Sequence, residues 1–242
     1  MEIIRQGIAI LEEDTHISKW VRETGLIDHG QWIEHYFRRF FGEGDTVVDA
    51  GAFIGDHTVP YAQLVGPTGR VLAFEPNPAA HECLSHNTRA YPWVQTLHAG
   101  LSDTDGKFYI VPNDNAGASH LSLTHSPRVL MPRLVNVWPL DDAEIPSLAF
   151  MKIDVEGMEV DVLEGAKKTL QRCRPALLIE ASVHQKRVGR SHNHIFQWLT
   201  DNLEDVTLFP PTHTGQPQYD IEVIPNEKLE HYEKCLERGA RK

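Results

Sequence analysis

Val47-Val48-Asp49-Ala50-Gly51-Ala52-Phe53-Ile54-Gly55-Asp56-His57-Thr58, VVDAGAFIGDHT, reads as a strand, a glycine turn and the start of a helix. Gly51 and Gly55 remove side chains where the chain leaves the strand, so a ligand can approach the backbone there. The helix start beyond them offers unpaired N–H groups. Asp49 stands at the carboxyl end of the strand, the end at which open α/β sheets bind ligands. A tight strand–helix turn holding no ligand is the alternative.

The pattern continues outward from this stretch. Apolar, β-branched runs occur at 46–51, 70–76, 94–100, 148–157 and 176–182, with helical segments at about 56–65, 78–90 and 158–172. Such alternation predicts βαβ units and a doubly wound, mostly parallel α/β sheet with helices on both faces. Continuous apolar strands agree with a sheet covered on both sides. In the helix after 157, Val160, Leu163, Ala166, Leu170 and Cys173 share one face, and Arg174-Pro175 ends it. Residues 1–44 read as a helical or mixed appendage, and 45–242 as the main domain with a β-rich insertion at about 103–147. Strand candidates in the insertion are 107–111 and 134–138; 205–209, 219–224 and a charged helix at about 226–239 follow near the C-terminus.

The glycine spacing excludes the dinucleotide fingerprint. G-x-G-x-x-G would need glycines at 51, 53 and 56, where this chain has Gly51, Phe53 and Asp56. Asp49 would repel a pyrophosphate and attract a cationic amino-acid moiety, which favours S-adenosylmethionine over NAD. Glu75, followed by Pro76, lies twenty positions after Gly55 at the end of the second strand, where a carboxylate can accept both ribose hydroxyls. An exposed strand-end carboxylate is the plainer reading. Gly100, Leu101 and Ser102 are candidates to line an adenine slot, although an ordinary strand end reads the same way. At the fourth strand end, Lys152, Asp154, Glu156 and Glu159 crowd together; part of that crowding is helix capping.

DTVVDAGAFIGDHT, VLAFEPNP, GLSD and MKIDVEGMEVDVLEGA occur in this order and together resemble the FkbM family of S-adenosylmethionine-dependent methyltransferases, over roughly residues 30–205. The resemblance implies a seven-stranded Rossmann-like sheet with an antiparallel strand near one edge. It implies methyl transfer, most often to a hydroxyl of a sugar or natural product. It carries Asp49, Gly51 and Gly55, with Ala52 and Phe53 between them, over as the methionine-end loop, and Glu75 as the ribose ligand. Phe53 departs from the pattern, because such loops often carry Asn or Gly there.

Methyl transfer to a hydroxyl gains from a general base. Asp154, Glu180 and His184 are the candidates; the alternatives are orientation of an ammonium, pairing with Lys152, and a surface loop histidine respectively. The same three could hold Mg2+, but metal dependence is not favoured. His192 and His194 suit metal ligation only in an extended loop. Lys186, Arg187 and Arg190 are candidates for an anionic substrate group or a solvated face, and the Gly- and Ser-rich 113–122 for a flap or a surface connection. The acceptor is expected to be a small molecule, possible glycosides included. N-methylation, a non-catalytic nucleoside-binding module and an NAD-dependent dehydrogenase are the competing readings.

A formal net charge of −11 argues against duplex nucleic acid or an anionic membrane as partner. Three cysteines without a C-x-x-C pair fit a reducing cytoplasm better than a disulfide framework. The N-terminal residues lack a basic region followed by a long apolar core, so neither a signal peptide nor a membrane span is expected. Residues 29–41 read as an aromatic, amphipathic stretch that packs on the domain and roofs the cofactor; exposed aromatics in 32–41 are a hint of association, and monomer and homodimer both stay open.

Overall fold

The computed structural model describes residues 1–28, 36–111, 120–122, 133–181, 189–209 and 219–239. Its central sheet contains β3 (Thr46–Ala50), β4 (Arg70–Phe74), β5 (Val94–Leu97), β10 (Phe150–Ile153), β11 (Ala176–Ala181), β12 (Val206–Phe209) and β13 (Tyr219–Pro225). The strand order is β12-β13-β11-β10-β3-β4-β5, and only β13 runs antiparallel to its neighbours. The order reverses between β3 and β10, so a crevice opens at their carboxyl ends.

Apolar side chains on both faces make the inner strands. Val47 and Val48 of β3 are fully buried, one in each of the two large apolar clusters on opposite sides of the sheet. Helices α2 (Thr58–Val65), α3 (Pro78–Thr88), α4 (Glu159–Gly165), α5 (Lys167–Cys173) and α6 (His192–Asn202) cover it. The apolar stripe expected after 157 faces the core: Leu163, Ala166 and Leu170 are buried and Val160 and Cys173 pack beside them. The stripe spans two short helices, however. The chain breaks at Ala166 (φ −107°, ψ 0°), next to Gly165, on which a Cβ would come within 1.9 Å of the Ser102 carbonyl oxygen. Asp141 then caps α5 by accepting from the N–H groups of Lys168 and Thr169 (3.0 and 2.8 Å).

The run 94–100 also divides. After β5, Gly100 and Leu101 form β6, which pairs with β9 (Arg133–Trp138) in a second sheet of order β6-β9-β7-β8, with β7 at Gly106–Val111 and β8 at His120–Ser122. Among the described residues, the segment 103–147 thus holds β7, β8 and β9. The fourth run ends as a strand at Ile153, because Glu156 (φ 54°) and Gly157 (φ 113°) turn the backbone out of the sheet.

The N-terminal segment holds a short hairpin, β1 (Glu2–Ile3) with β2 (Ala9–Ile10), and α1 (Ile17–Thr24). The aromatics of its later part are buried rather than exposed. Phe37, Phe40 and Phe41 are 1%, 6% and 5% accessible and stack around Phe150 and Tyr61. The reading of exposed aromatics fails for these residues, because the underside of the sheet presents an apolar face that they cover; Trp32 lies outside the described residues. The C-terminal α7 (Leu229–Gly239) closes against the same side. Glu222 of β13 gathers both ends of the chain, accepting from Tyr36 Oη (2.7 Å), Arg39 (2.5 Å) and Tyr232 Oη. Among the described residues no helix is long and apolar enough to cross a membrane.

Candidate active site

A cavity of about 500 Å3 opens at the carboxyl edge of β3, β4, β10 and β11, a size suited to a cofactor or drug-sized ligand. Its floor is the glycine turn. Gly51 has φ 86°, and a Cβ there would lie 1.8 Å from the Asp154 carbonyl oxygen, so no side chain can stand between the two strand ends. The N–H groups of Gly51 and Ala52 both donate to the Phe74 carbonyl at 3.0 Å, locking the turn onto β4.

Glu75 forms one wall. It is 7% accessible, and each carboxylate oxygen accepts a backbone N–H, from Phe53 at 2.9 Å and from Asn77 at 2.7 Å. Burial pushes its pKa up to about 7, against the two hydrogen bonds, which stabilise the anion. Phe53 adopts φ 48°, a left-handed conformation that costs a residue bearing a Cβ about 1–2 kcal/mol and that Asn or Gly takes readily. The residue that departs from the usual loop pattern is thus the strained one.

Across the cavity stand Lys152, Asp154 and Glu180. Lys152 Nζ donates to Asp154 Oδ2 at 2.5 Å. Burial would lower the lysine pKa, but Asp154, Glu180 and Asp49 outweigh it and hold the ammonium charged. Burial would likewise raise Asp154; Lys152, together with a hydrogen bond to Glu180, overrides it and keeps that carboxyl below its ordinary range. Asp49 is paired in register with Lys152, fully buried, and accepts from Thr58 Oγ1 at 2.6 Å through Oδ2. Its Oδ1 has no hydrogen-bond partner, and burial raises its pKa.

Of the residues singled out in the sequence, Gly51, Phe53, Glu75, Pro76, Gly100, Leu101, Asp154 and Glu180 line the cavity. Asp49, Ala52, Gly55 and Ser102 do not. Asp49 lies beneath the loop, and Ala52 is 3% accessible with its N–H spent on Phe74. Gly55 (φ 95°) faces Leu84 of α3, and Ser102 is fully buried under Gly165. The adenine-slot reading of Ser102 is corrected accordingly. His184, Lys186 and Arg187 lie outside the described residues, as does most of 113–122. Arg190 is committed to Asp161 in a two-pronged ion pair at 2.5 and 2.9 Å, not held ready for a substrate anion. His192 and His194 start α6 instead of an extended loop, so within one turn they point to opposite sides of the helix, and His194 is engaged with Ser191 in a capping box. Among the described residues no three His, Cys, Asp or Glu side chains converge as a metal site.

Several wall residues carry no sequence motif. His16 and Ile17, at the start of α1, reach the cavity from the N-terminal segment. His57 and Asp56 face it from the loop, with His57 Nδ1 3.3 Å from Asp56 Oδ2; their position directly after Gly55 was the available signal. Ile110, Leu121, Val155 and Met158 give the opposite side an apolar surface. Asp56, Glu75, Asp154, Glu156 and Glu180 outnumber the single lysine among the described lining residues, so the cavity attracts cations and repels a pyrophosphate. A cationic nucleoside fits this arrangement of the Glu75 carboxylate, a side-chain-free floor and apolar walls.

Comparison with known proteins follows the same line. The methyltransferase FkbM domain matches residues 49–205. The hexuronic acid methyltransferase AglP of Haloferax volcanii is 30% identical over 150 residues, 61% of this chain and 61% of the relative. The 2-O-methyltransferase NoeI of Sinorhizobium fredii is 27% identical over 182 residues, 68% of this chain and 74% of the relative. The crystal structure of methyltransferase FkbM from Methylobacillus flagellatus KT is similar with a TM-score of 0.56 at 20% identity, over 76% of this chain and 44% of that one. A putative rRNA-methylase from Clostridium thermocellum gives 0.53 at 15% identity, over 81% and 94%. At these identities the structures speak to fold alone. The matched region spans about three fifths of AglP, less than two thirds of its length.

Proposed function

The chain belongs to the FkbM family of methyltransferases, and from that premise we propose that it transfers the methyl group of S-adenosylmethionine to a hydroxyl of a sugar or sugar-like small molecule. The observation that carries this reading is the cavity itself, with Glu75 on one side of a side-chain-free floor and the Lys152–Asp154–Glu180 cluster on the other. The names of AglP and NoeI support a sugar hydroxyl as acceptor, since one acts on a hexuronic acid and the other is a 2-O-methyltransferase.

The cofactor supplies an electrophilic methyl on a sulfonium. The chain supplies position and charge. Glu75 accepts the ribose hydroxyls with the lone pairs that Phe53 and Asn77 leave open. Leu101, with Ile110 and Leu121 beside it, gives the base an apolar seat. Lys152 keeps Asp154 ionised, so Asp154 is suited to hold positive charge and poorly suited to take a proton. Glu180, at the end of β11, is the proposed proton acceptor among the described residues, in the form that has lost the proton its carboxyl shares in a hydrogen bond with Asp154. In-line placement of the acceptor oxygen does the rest of the work.

A panel of glycosides with free hydroxyls and matching amino sugars, read by formation of S-adenosylhomocysteine, tests the proposal. Turnover with hydroxyl acceptors, cut at least tenfold by Glu180→Gln with cofactor affinity retained, is the expected outcome. Methylation confined to the nitrogen of amino sugars would overturn the hydroxyl assignment.

A further inference from the structure

The N-terminal segment is tied to the cofactor loop at two points. Asn87 of α3 is the first. Its Oδ1 accepts from the Ala9 N–H at 2.7 Å, while its Nδ2 donates to the Ala9 carbonyl and to the Ile54 carbonyl, each at 2.8 Å. One side chain thus joins the hairpin strand β2 to the residue after Phe53. The second point is Phe53. Its ring packs against the apolar cluster that the N-terminal segment shares with Ile54 and α3, while its N–H reaches Glu75.

We infer that Phe53 is a positioning residue for Glu75: its ring, anchored on the N-terminal segment, holds residue 53 in the left-handed conformation that aims its N–H at Glu75 Oε2. A glycine or asparagine would take φ near 48° unaided. Phenylalanine takes it only where the surroundings impose it, and those surroundings are the cluster of N-terminal, loop and α3 residues on which its side chain packs. Strain of this kind at a site is a reason to seek a role for it. Here the role is visible in the hydrogen bond that the strained N–H makes. The hairpin and α1 are then part of the cofactor site and not an appendage to it. That consequence rests on the reading of Glu75 as the ribose ligand; the link from ring to carboxylate does not.

Glu75 reports on the link. Burial, Asp49 and Asp154 disfavour its charge, and the N–H groups of Phe53 and Asn77 favour it. Loss of the Phe53 hydrogen bond therefore moves its titration to higher pH. The 13C resonance of the Glu75 carboxyl, followed against pH in the unliganded protein, measures this for wild type, Phe53→Ala and Phe53→Gly. Phe53→Ala removes the anchor and keeps the strain, so its midpoint should rise by about one pH unit. Phe53→Gly removes both, so its midpoint should stay within a few tenths of wild type. Affinity for S-adenosylhomocysteine near pH 7 should fall about tenfold in the alanine variant and less in the glycine variant. If Phe53→Ala fails to fold, Phe53→Leu takes its place as the variant with a weakened anchor and the strain kept, read by the same Glu75 midpoint. Equal midpoints in all three proteins, or equal shifts in both variants, would overturn it. Failure of the wild type to bind S-adenosylhomocysteine would instead overturn the cofactor reading, with the titration still deciding the role of Phe53.

Discussion

Single atoms decide the chemistry of this site. Gly51 cannot be replaced without moving a strand end, because a methyl group would sit 1.8 Å from the Asp154 carbonyl oxygen in a backbone of positive φ. Gly51→Ala should abolish cofactor binding and lower stability by several kcal/mol, of the order of the largest single-substitution effects; calorimetric unfolding beside a binding titration would show both. Glu75 carries the pH dependence. With its folded pKa near 7 and an ordinary value of 4.5, the folded chain holds a proton there that the unfolded chain has released. The contribution of this group to stability therefore falls as pH rises from about 4.5 to 7. On the proposal that Glu75 binds the ribose, its hydroxyls donate to the anion, so cofactor affinity should climb with pH up to about 7 and then level, with proton release on binding below it. Glu75→Gln should flatten that profile. A profile unchanged by the substitution would place the ribose elsewhere.

At the scale of elements, the spacing of apolar residues revealed the strand–helix alternation, and the carboxyl ends of those strands located the cavity. Its limits lie where a single close contact overrides a local pattern. The stripe from Val160 to Cys173 is helical throughout, yet Gly165 pressed on the Ser102 carbonyl breaks it into two helices. The run at 94–100 is apolar enough for one strand, yet Gly100 and Leu101 leave for the second sheet. Ser102 looked like a slot residue because it follows Leu101, but the same packing against Gly165 buries it. His16 and Ile17 reach the cavity through tertiary packing, which no spacing encodes. The break at Ala166 makes α5 dependent on its own cap. Asp141→Ala removes the acceptor for two N–H groups and should cost about 1–2 kcal/mol, measured by denaturant midpoint, with no change in cofactor affinity.

Across the whole molecule, both ends of the chain bear on the sheet that carries the site. His16 and Ile17 at the start of α1 close one wall of the cavity, and the segment from Tyr36 to Phe41 seals the far face of the sheet with α7. Glu222 binds that seal together by accepting from Tyr36, Arg39 and Tyr232. Glu222→Ala leaves Arg39 buried without its anion and should destabilise the fold by roughly 3–5 kcal/mol, the cost of breaking a buried ion pair. Its thermal midpoint should drop by several degrees while the residues at the cavity stay in place. The architecture thus separates tasks: one face and both termini supply stability, and the carboxyl edge holds a cleft whose excess of carboxylates suits a cationic nucleoside.

Isothermal titration of the chain with S-adenosylhomocysteine, S-adenosylmethionine and NAD, repeated on Glu75→Ala, tests that claim most directly. Both sulfur nucleosides should bind and NAD should not, and Glu75→Ala should weaken the nucleosides about tenfold to a hundredfold, the loss of hydrogen bonds to a charged group. No heat with either nucleoside, or affinities that Glu75→Ala leaves unchanged, would contradict it.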